Sequence, residues 1–579
     1  MFCNRGLHFC EGSCCGTIHL CEDYRRIKYN NRREGTMKKR WIYASVTALF
    51  LGMIAGCAPR TQIQTEVKST AKNRNDEVPA WKTYAKEDPV TLDWYVNYSW
   101  FGMGWGKNLV SKRITKDTGV SVNFITPLGN EDEKLNALIA SDSLPDLITL
   151  GWWEPQVNEM IQKNMVYALN DLADKYDMYF YKVTDPMVVD WYSDEKGDIY
   201  GYPNSSFTPK EVEERNDIAS NQTFLVRKDI YEAIGSPDMT TQEGFEKAVK
   251  KAVEMFPEVD GKPLIPIGAH VFDGSGCVSF DKYLMNFLAV SWEKDGKLYD
   301  RYTDPEYISW LKFFRKLGQE GYLANDIFVD QRTQMNEKLS DGRYFCMFYQ
   351  RTDVADQEKE IYAKDPDRIY IAVDGPKNSH GDDPVLPTTS INGWTLTLVS
   401  KNCKYPDRAI AFMDYLMSER GQKLTSIGEK NEMYTEKEGK VTINPDVKKL
   451  LNAHRSAYDA EYGADNAYWM LQNNVMQLDW MPPTEEPLAQ LERWTYPYKT
   501  YAGQYDVNLN ADSEAGIASA RLDKLWSETL PQLLLAESDE KFDALLESYK
   551  KQRKVLGYDM VMEEKNKQVQ INKKKLGMD

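Results

Sequence analysis

The chain is 579 residues long, 42 % hydrophobic and 28 % charged, the balance of a globular protein with room for two to four domains. One apolar run, Trp41 to Ala55, approaches membrane character but falls short of the roughly 20 residues a span needs, so a polytopic membrane protein is excluded. The formal charge of −16 opposes a polyanionic partner, and no nucleic-acid binding is expected.

Five cysteines (Cys3, Cys10, Cys14, Cys15 and Cys21) crowd the start beside His8 and His19. They form no CxxC pair and stand on no apolar period, so zinc is not expected there. Met37 opens an export signal, with Lys38, Lys39 and Arg40 ahead of the apolar run. Such signals stand at an N-terminus. Residues 1–36 are therefore expected to be a mis-assigned start, disordered and outside the native protein, and residues 37–56 a signal peptide. The run ends in Ile54-Ala55-Gly56-Cys57, which closely resembles a bacterial lipoprotein box. That resemblance implies cleavage before Cys57 and lipidation of its thiol, which would hold the chain on the outer face of the cell membrane. Acyl chains anchor by about 0.8 kcal/mol per buried CH₂, and several together hold stably.

The 523 residues from Cys57 onward carry 63 Lys and Arg against 84 Asp and Glu, a net −21. Beyond the anchor only Cys277, Cys346 and Cys403 remain, an odd number, so cores rather than a disulfide framework are expected to hold the fold. Residues 57–88, the anchor and a polar stretch without periodicity, read as a tether.

Strand and helix patterns then alternate. Val90-Thr-Leu-Asp-Trp-Tyr-Val, Val120 to Phe124 and Asp146-Leu-Ile-Thr-Leu are strand-like, and Asn108 to Thr118 and Glu131 to Ser141 have helical spacing. A second series follows: the strand Thr223 to Arg227, a helix from Lys228 ending at Gly235, a helix capped by Thr241, and the short strand Leu264-Ile-Pro-Ile. Strands alternating with helices predict βαβ units and mostly parallel sheets. Arg343 to Tyr349 and Trp394 to Val399 read as strands returning to the first sheet. From Pro406 the chain is helical, and the basic end (Lys573, Lys574, Lys575) reads as a solvated tail.

Four segments occur in a familiar order: Leu138-Ile-Ala-Ser-Asp-Ser-Leu-Pro-Asp-Leu, Gly197-Asp-Ile-Tyr-Gly-Tyr-Pro, Val226-Arg-Lys-Asp-Ile-Tyr with its Thr-x-x-x-Phe helix, and Phe412-Met-Asp-Tyr-Leu-Met-Ser-Glu-Arg-Gly-Gln. From roughly Val90 to Gly557 the sequence resembles the family 1 extracellular solute-binding proteins, more narrowly the large lipoproteins that serve oligosaccharide ABC importers of Gram-positive bacteria. The resemblance implies a two-lobed α/β protein of the periplasmic-binding-protein type II fold, each lobe a mostly parallel sheet flanked by helices, plus a helical C-terminal region. It implies an oligosaccharide ligand, a permease partner, a monomer, and neither catalysis, cofactor nor metal. The expected division is 89–207 with 340–402 as the first lobe, 208–339 with 403–558 as the second, and 559–579 as the basic tail.

In open α/β sheets ligands sit beyond the carboxyl ends of strands. Sugars need aromatic platforms for their C–H faces and polar groups for their rims. The residues at strand exits that meet both demands are Trp100, Trp105, Trp152, Trp153, Tyr202, Asn204, His270, Asp273, Tyr349, Arg351, Asn392 and Trp394. The glycines around Trp105 spell GxGxG rather than GxGxxG and precede no phosphate-binding helix, and Asp194 to Asp198 lacks EF-hand spacing. A lipid-anchored glycosidase is the alternative, and it needs two carboxylates about 5–9 Å apart across a cleft.

Overall fold

The computed structural model describes residues 78–578 apart from 130, 274 and 275. The signal segment, Cys57 and most of the tether lie outside the described residues.

Two sheets organise the chain. The first contains β1 (Val90–Val96), β2 (Val120–Ile125), β3 (Leu147–Gly151), β4 (Gly201–Pro203) and β9 (Thr395–Val399), in the order β2-β1-β3-β9-β4. Strand β1 runs parallel to β2, with Val90 opposite Val120, and parallel to β3, with Trp94 opposite Leu147. Strand β9 is antiparallel to β3 and β4. All five residues of β3 are buried, which is why it reads as a continuous apolar run interrupted only by Thr149. The Thr149 hydroxyl accepts from the Trp94 indole at 2.9 Å and meets the Thr397 hydroxyl at 2.8 Å, so the one polar group in the strand is satisfied within the sheet.

The second sheet contains β5 (Gln222–Arg227), β6 (Ile265–Gly268), β7 (Tyr344–Gln350) and β8 (Tyr370–Ala372), ordered β8-β5-β7-β6. Strand β7 is antiparallel to β5 and parallel to β6, and β8 is antiparallel to β5. The α/β pattern expected from the alternation holds, and the strand directions are mixed rather than mostly parallel.

The segment Arg343 to Tyr349 does not return to the first sheet: it is β7, interior to the second. Cys346 and Phe348 serve one core with Val226 and Phe224, while Met347 and Tyr349 serve another on the opposite face with Leu225. A strand apolar on both faces suits the interior of either sheet, so its pattern names no partner. Trp394 to Val399 does pair in the first sheet.

A second correction concerns the helices after β9, expected with the second lobe. Helix α1 (Pro406–Met417) is buried at every position and packs with Trp94 and Phe180 of the first core. The six residues between β9 and Pro406 are too few to carry the chain away from the sheet it has just left. Helices α2 (Glu514–Leu534) and α3 (Asp539–Val555) instead pack on the second core through Trp526, Leu530, Phe542 and Leu546.

The basic end is not a solvated tail. It is helix α4 (Tyr558–Lys575), with Val561, Val569 and Asn572 buried and Leu576 beyond it inserted in the first core. Its early part packs on α2 through Val561, and the Asn566 side chain accepts from the Leu298 N–H at 2.7 Å. At its end the Lys575 ammonium donates to the carbonyls of Asp190, Trp191 and Ser193, at and just beyond the end of the helix Pro186–Tyr192. The helix therefore reaches from the second lobe to the first.

Between the sheets the chain passes along 204–221 and 373–394. The later segment 499–506 runs beside the second passage, pairing Leu386 with Lys499 and Pro387 with Thr500. All three isolated cysteines, Cys277, Cys346 and Cys403, are buried.

Candidate functional site

The carboxyl ends of β1 and β3 and the start of antiparallel β9 share one edge of the first sheet. At this edge the structure brings Trp100 and Trp394 together with their rings parallel, 4° between planes and 6.0 Å between centroids. Two aromatics complete the group. Trp469 lies 4.4 Å from Trp394 and 5.7 Å from Trp100, and Tyr98 lies 5.3 Å from both Trp100 and Trp394. Exposure grades across it: Trp100 is 60 % exposed, Trp394 is half-buried and Trp469 is buried.

Local chemistry explains the placement. After β1 the backbone turns, with the Phe101 N–H donating to the Tyr98 carbonyl, and Phe101 anchors the turn in the core. Trp394 follows Gly393, whose φ is +67° and whose missing Cβ would come within 2.0 Å of the Asn204 carbonyl. That carbonyl accepts from the Trp394 N–H at 3.1 Å. The Asn204 side chain is fully buried, donating to the Trp469 carbonyl at 3.0 Å and accepting from the Thr395 N–H at 2.8 Å. Asn204 thus ties both inner tryptophans in place.

Carboxylates border the aromatic group. Glu131 accepts from the Ser99 N–H at 2.8 Å and from its hydroxyl at 3.1 Å. Glu154 accepts from the Asn97 amide at 2.6 Å and the Gly151 N–H at 2.7 Å, and Asn97 in turn accepts from the Tyr95 hydroxyl. Among the described residues the buried Tyr98 hydroxyl makes no hydrogen bond of regular geometry, the Trp394 indole beside it included. Burial pushes its pKa well up, and the charges of Glu154 and Glu131 push it further.

The matching edge of the second sheet lies at the ends of parallel β6 and β7. There the His270 ring sits 5.8 Å from Tyr349. The Arg332 guanidinium contacts His270 Nε2 at 3.1 Å, lies 5.6 Å over the Tyr349 ring and pairs with Asp353 at 2.8 Å. A guanidinium can only donate, so Nε2 accepts and the ring proton sits on Nδ1, facing the Val271 carbonyl at 3.4 Å. Burial, then the Arg332 charge, lowers the His270 pKa and keeps the ring neutral.

Other expected residues serve the fold. The Trp105 indole donates to Thr115 at 2.9 Å while its ring packs on Phe124, Phe412 and Tyr468. Tyr202 is buried, its hydroxyl accepting from the Asp185 N–H. Arg351 is spent on the Ser220 carbonyl and an ion pair with Glu492. Asp273 is exposed and bridges to Gly276. Trp152 and Trp153 meet edge to face at 5.9 Å, with the Trp153 ring laid against Gly151.

Trp152 and Asn392 also line a cavity of about 360 Å³ with Trp191, Asp506, Asn572 and Lys575, where helix α4 closes against the first lobe. Asn392 accepts from the Trp191 indole at 2.8 Å, and its amide meets the Asp506 carboxylate at 3.3 Å. Burial raises the Asp506 pKa.

Strand-exit reasoning missed Tyr98, Trp469 and Arg332. Tyr98 shares a loop with Trp100 and was within reach of the rule. Trp469 belongs to a short helical turn, Trp469–Leu471, far along the chain from any strand of the sheet.

Residues 110–429 match the family described as bacterial extracellular solute-binding protein. Lipoprotein LipO of Bacillus subtilis is 21 % identical over 554 residues, covering 93 % of this chain and 99 % of its own. Among solved structures, the Streptococcus pneumoniae ABC-transporter substrate-binding protein FusA in complex with kestose superposes with a TM-score of 0.64 at 16 % identity, covering 83 % of this chain and 99 % of its own. The alginate-binding protein AlgQ2 superposes at 0.63 and 17 % identity, covering 84 % and 99 %. These likenesses show the fold.

Proposed function

The chain belongs to the bacterial extracellular solute-binding proteins, a family of receptors rather than enzymes, and from that premise we propose that it is the oligosaccharide receptor of an ABC importer. Lipid on Cys57 would hold it on the outer face of the membrane, and a permease would accept the captured sugar. One observation carries the ligand class: the Trp100 ring is 60 % exposed and parallel to Trp394 at the strand ends, flanked by Asn97, Glu131 and Glu154. An open indole face takes the C–H face of a pyranose, and the carboxylates take its hydroxyls. His270 and Arg332 would supply the opposite wall. Ligand closes two lobes only through contacts better made in the closed form, and groups divided between two sheet edges meet that condition. The kestose-bound FusA and alginate-binding AlgQ2 support a saccharide, and LipO supports the anchor.

A thermal-shift screen of the full chain in detergent, against oligosaccharides, monosaccharides and peptides, tests the reading. A ligand confined to the folded state contributes about 2.7 kcal/mol at 100 times its Kd. A shift with an oligosaccharide recovered intact is the expected result, and a shift with peptides alone would overturn the ligand class. Substituting Cys57→Ser should move the protein out of the membrane fraction.

A further inference from the structure

We propose that the tryptophan site selects neutral glycans and turns away uronates, with Glu131 and Glu154 setting the preference. This rests on the saccharide reading above and names the class of sugar within it.

The sign of the charge beside the platform is the central observation. Glu131 is fastened to Ser99, the residue immediately before Trp100, by a backbone N–H and a hydroxyl. Neither donor cancels its charge, and no ion pair to Glu131 occurs among the described residues. Glu154 is fastened at the same strand ends by Asn97 and Gly151. Tyr98 is in ring contact with both Trp100 and Trp394, and after burial the charges of Glu154 and Glu131 raise its pKa. On the matching edge the two arginines are already paired, Arg332 with Asp353 at 2.8 Å and Arg351 with Glu492 at 2.9 Å. His270 is held neutral.

A sugar stacked on Trp100 therefore presents its rim to acceptors. Neutral hydroxyls donate to carboxylates, and such charge-assisted bonds are the stronger kind. A uronate carboxylate in the same place has nothing to donate and meets like charge in a partly desolvated setting, where repulsion between groups a few ångströms apart is large. The net −21 of the chain from Cys57 onward further slows the approach of polyanions.

The test is calorimetric titration of the full chain in detergent with trimers of galacturonate and guluronate, with their carboxyl-reduced forms, and with neutral malto-, fructo- and galacto-oligosaccharides. Neutral sugars should bind at least about tenfold more tightly than any uronate, and reduction of a uronate's carboxyls should improve it. Glu131→Gln and Glu154→Gln should each narrow the gap at least about threefold, with unchanged melting temperature for Glu131→Gln, whose one bonded oxygen survives as the amide oxygen. A uronate that binds as well as or better than every neutral sugar would overturn the proposal while leaving the saccharide reading standing. An unchanged gap in both variants would also overturn it. Binding of neither class, with a shift from peptides, would sink the saccharide reading itself and this proposal with it.

Discussion

Replacing Trp100 by alanine separates ligand binding from folding more cleanly than any other change at the site. Trp100 is 60 % exposed and in ring contact with Tyr98, Trp394 and Trp469. A tryptophan buries about 150–250 Å² when fully covered, so on the order of 100–150 Å² remains open. A sugar face covers about half of that, and at about 25 cal/mol per Å² the lost contact is worth about 1–2 kcal/mol, with up to about 1 kcal/mol more for stacking. The expected loss of affinity is about 2 kcal/mol, or roughly 30-fold in Kd. Titration calorimetry with the oligosaccharide found in the screen measures it, and denaturant unfolding checks that stability moves by less than about 1 kcal/mol. The half-buried Trp394 is a poorer probe, since its loss would also empty space against Trp469. A Kd for Trp100→Ala within twofold of the parent, with folding unchanged, would refute the assignment of this ring as the platform.

Three further outcomes follow from the packing. Glu358 is fully buried, accepts from the Tyr370 N–H at 2.9 Å, and burial pushes its pKa up to about 8. Its folded pKa is raised, so its contribution is complete below about pH 4.5 and is lost as pH rises towards 8, by about 4 kcal/mol; Glu358→Gln should abolish that decline in unfolding free energies measured between pH 5 and 9. His270 has a lowered pKa, so its contribution is complete above pH 6.5 and is lost as pH falls below that value, a decline that His270→Gln should flatten in the same measurement. Leu576→Ala empties a buried position in the first core and should cost about 2–4 kcal/mol by denaturant unfolding; a change below about 0.5 kcal/mol would return the C-terminal end to the status of a solvated tail.

Much of the candidate site was legible in sequence because its first members obey a local rule. Trp100 follows an apolar strand, and Trp394 stands before another next to a glycine; in an α/β sheet those positions share an edge whatever else the chain does. The same rule selected Trp105, Tyr202 and Arg351, which the structure spends on the core, on the Asp185 N–H and on Glu492. A strand exit fixes where a side chain starts, not whether a neighbour uses it.

The alternation of strands and helices, the first βαβ units, the cap at Thr241 and the stop at Gly235 were determined by the sequence itself, since each depends on residues within one or two turns of one another. Tertiary structure decided the rest. Tyr344–Gln350 is apolar on both faces, a pattern that fits the interior of either sheet, and its pairing with β5 and β6 placed it in the second. Helix α1 stayed on the first because a short connection left it nowhere else to pack. Trp469 joined Trp100 from more than 360 residues away, and the lysine-rich end became a helix seated on both lobes through Val561 and Leu576. Periodicity reports which face of an element seeks burial; which surface receives that face is a property of the assembled chain.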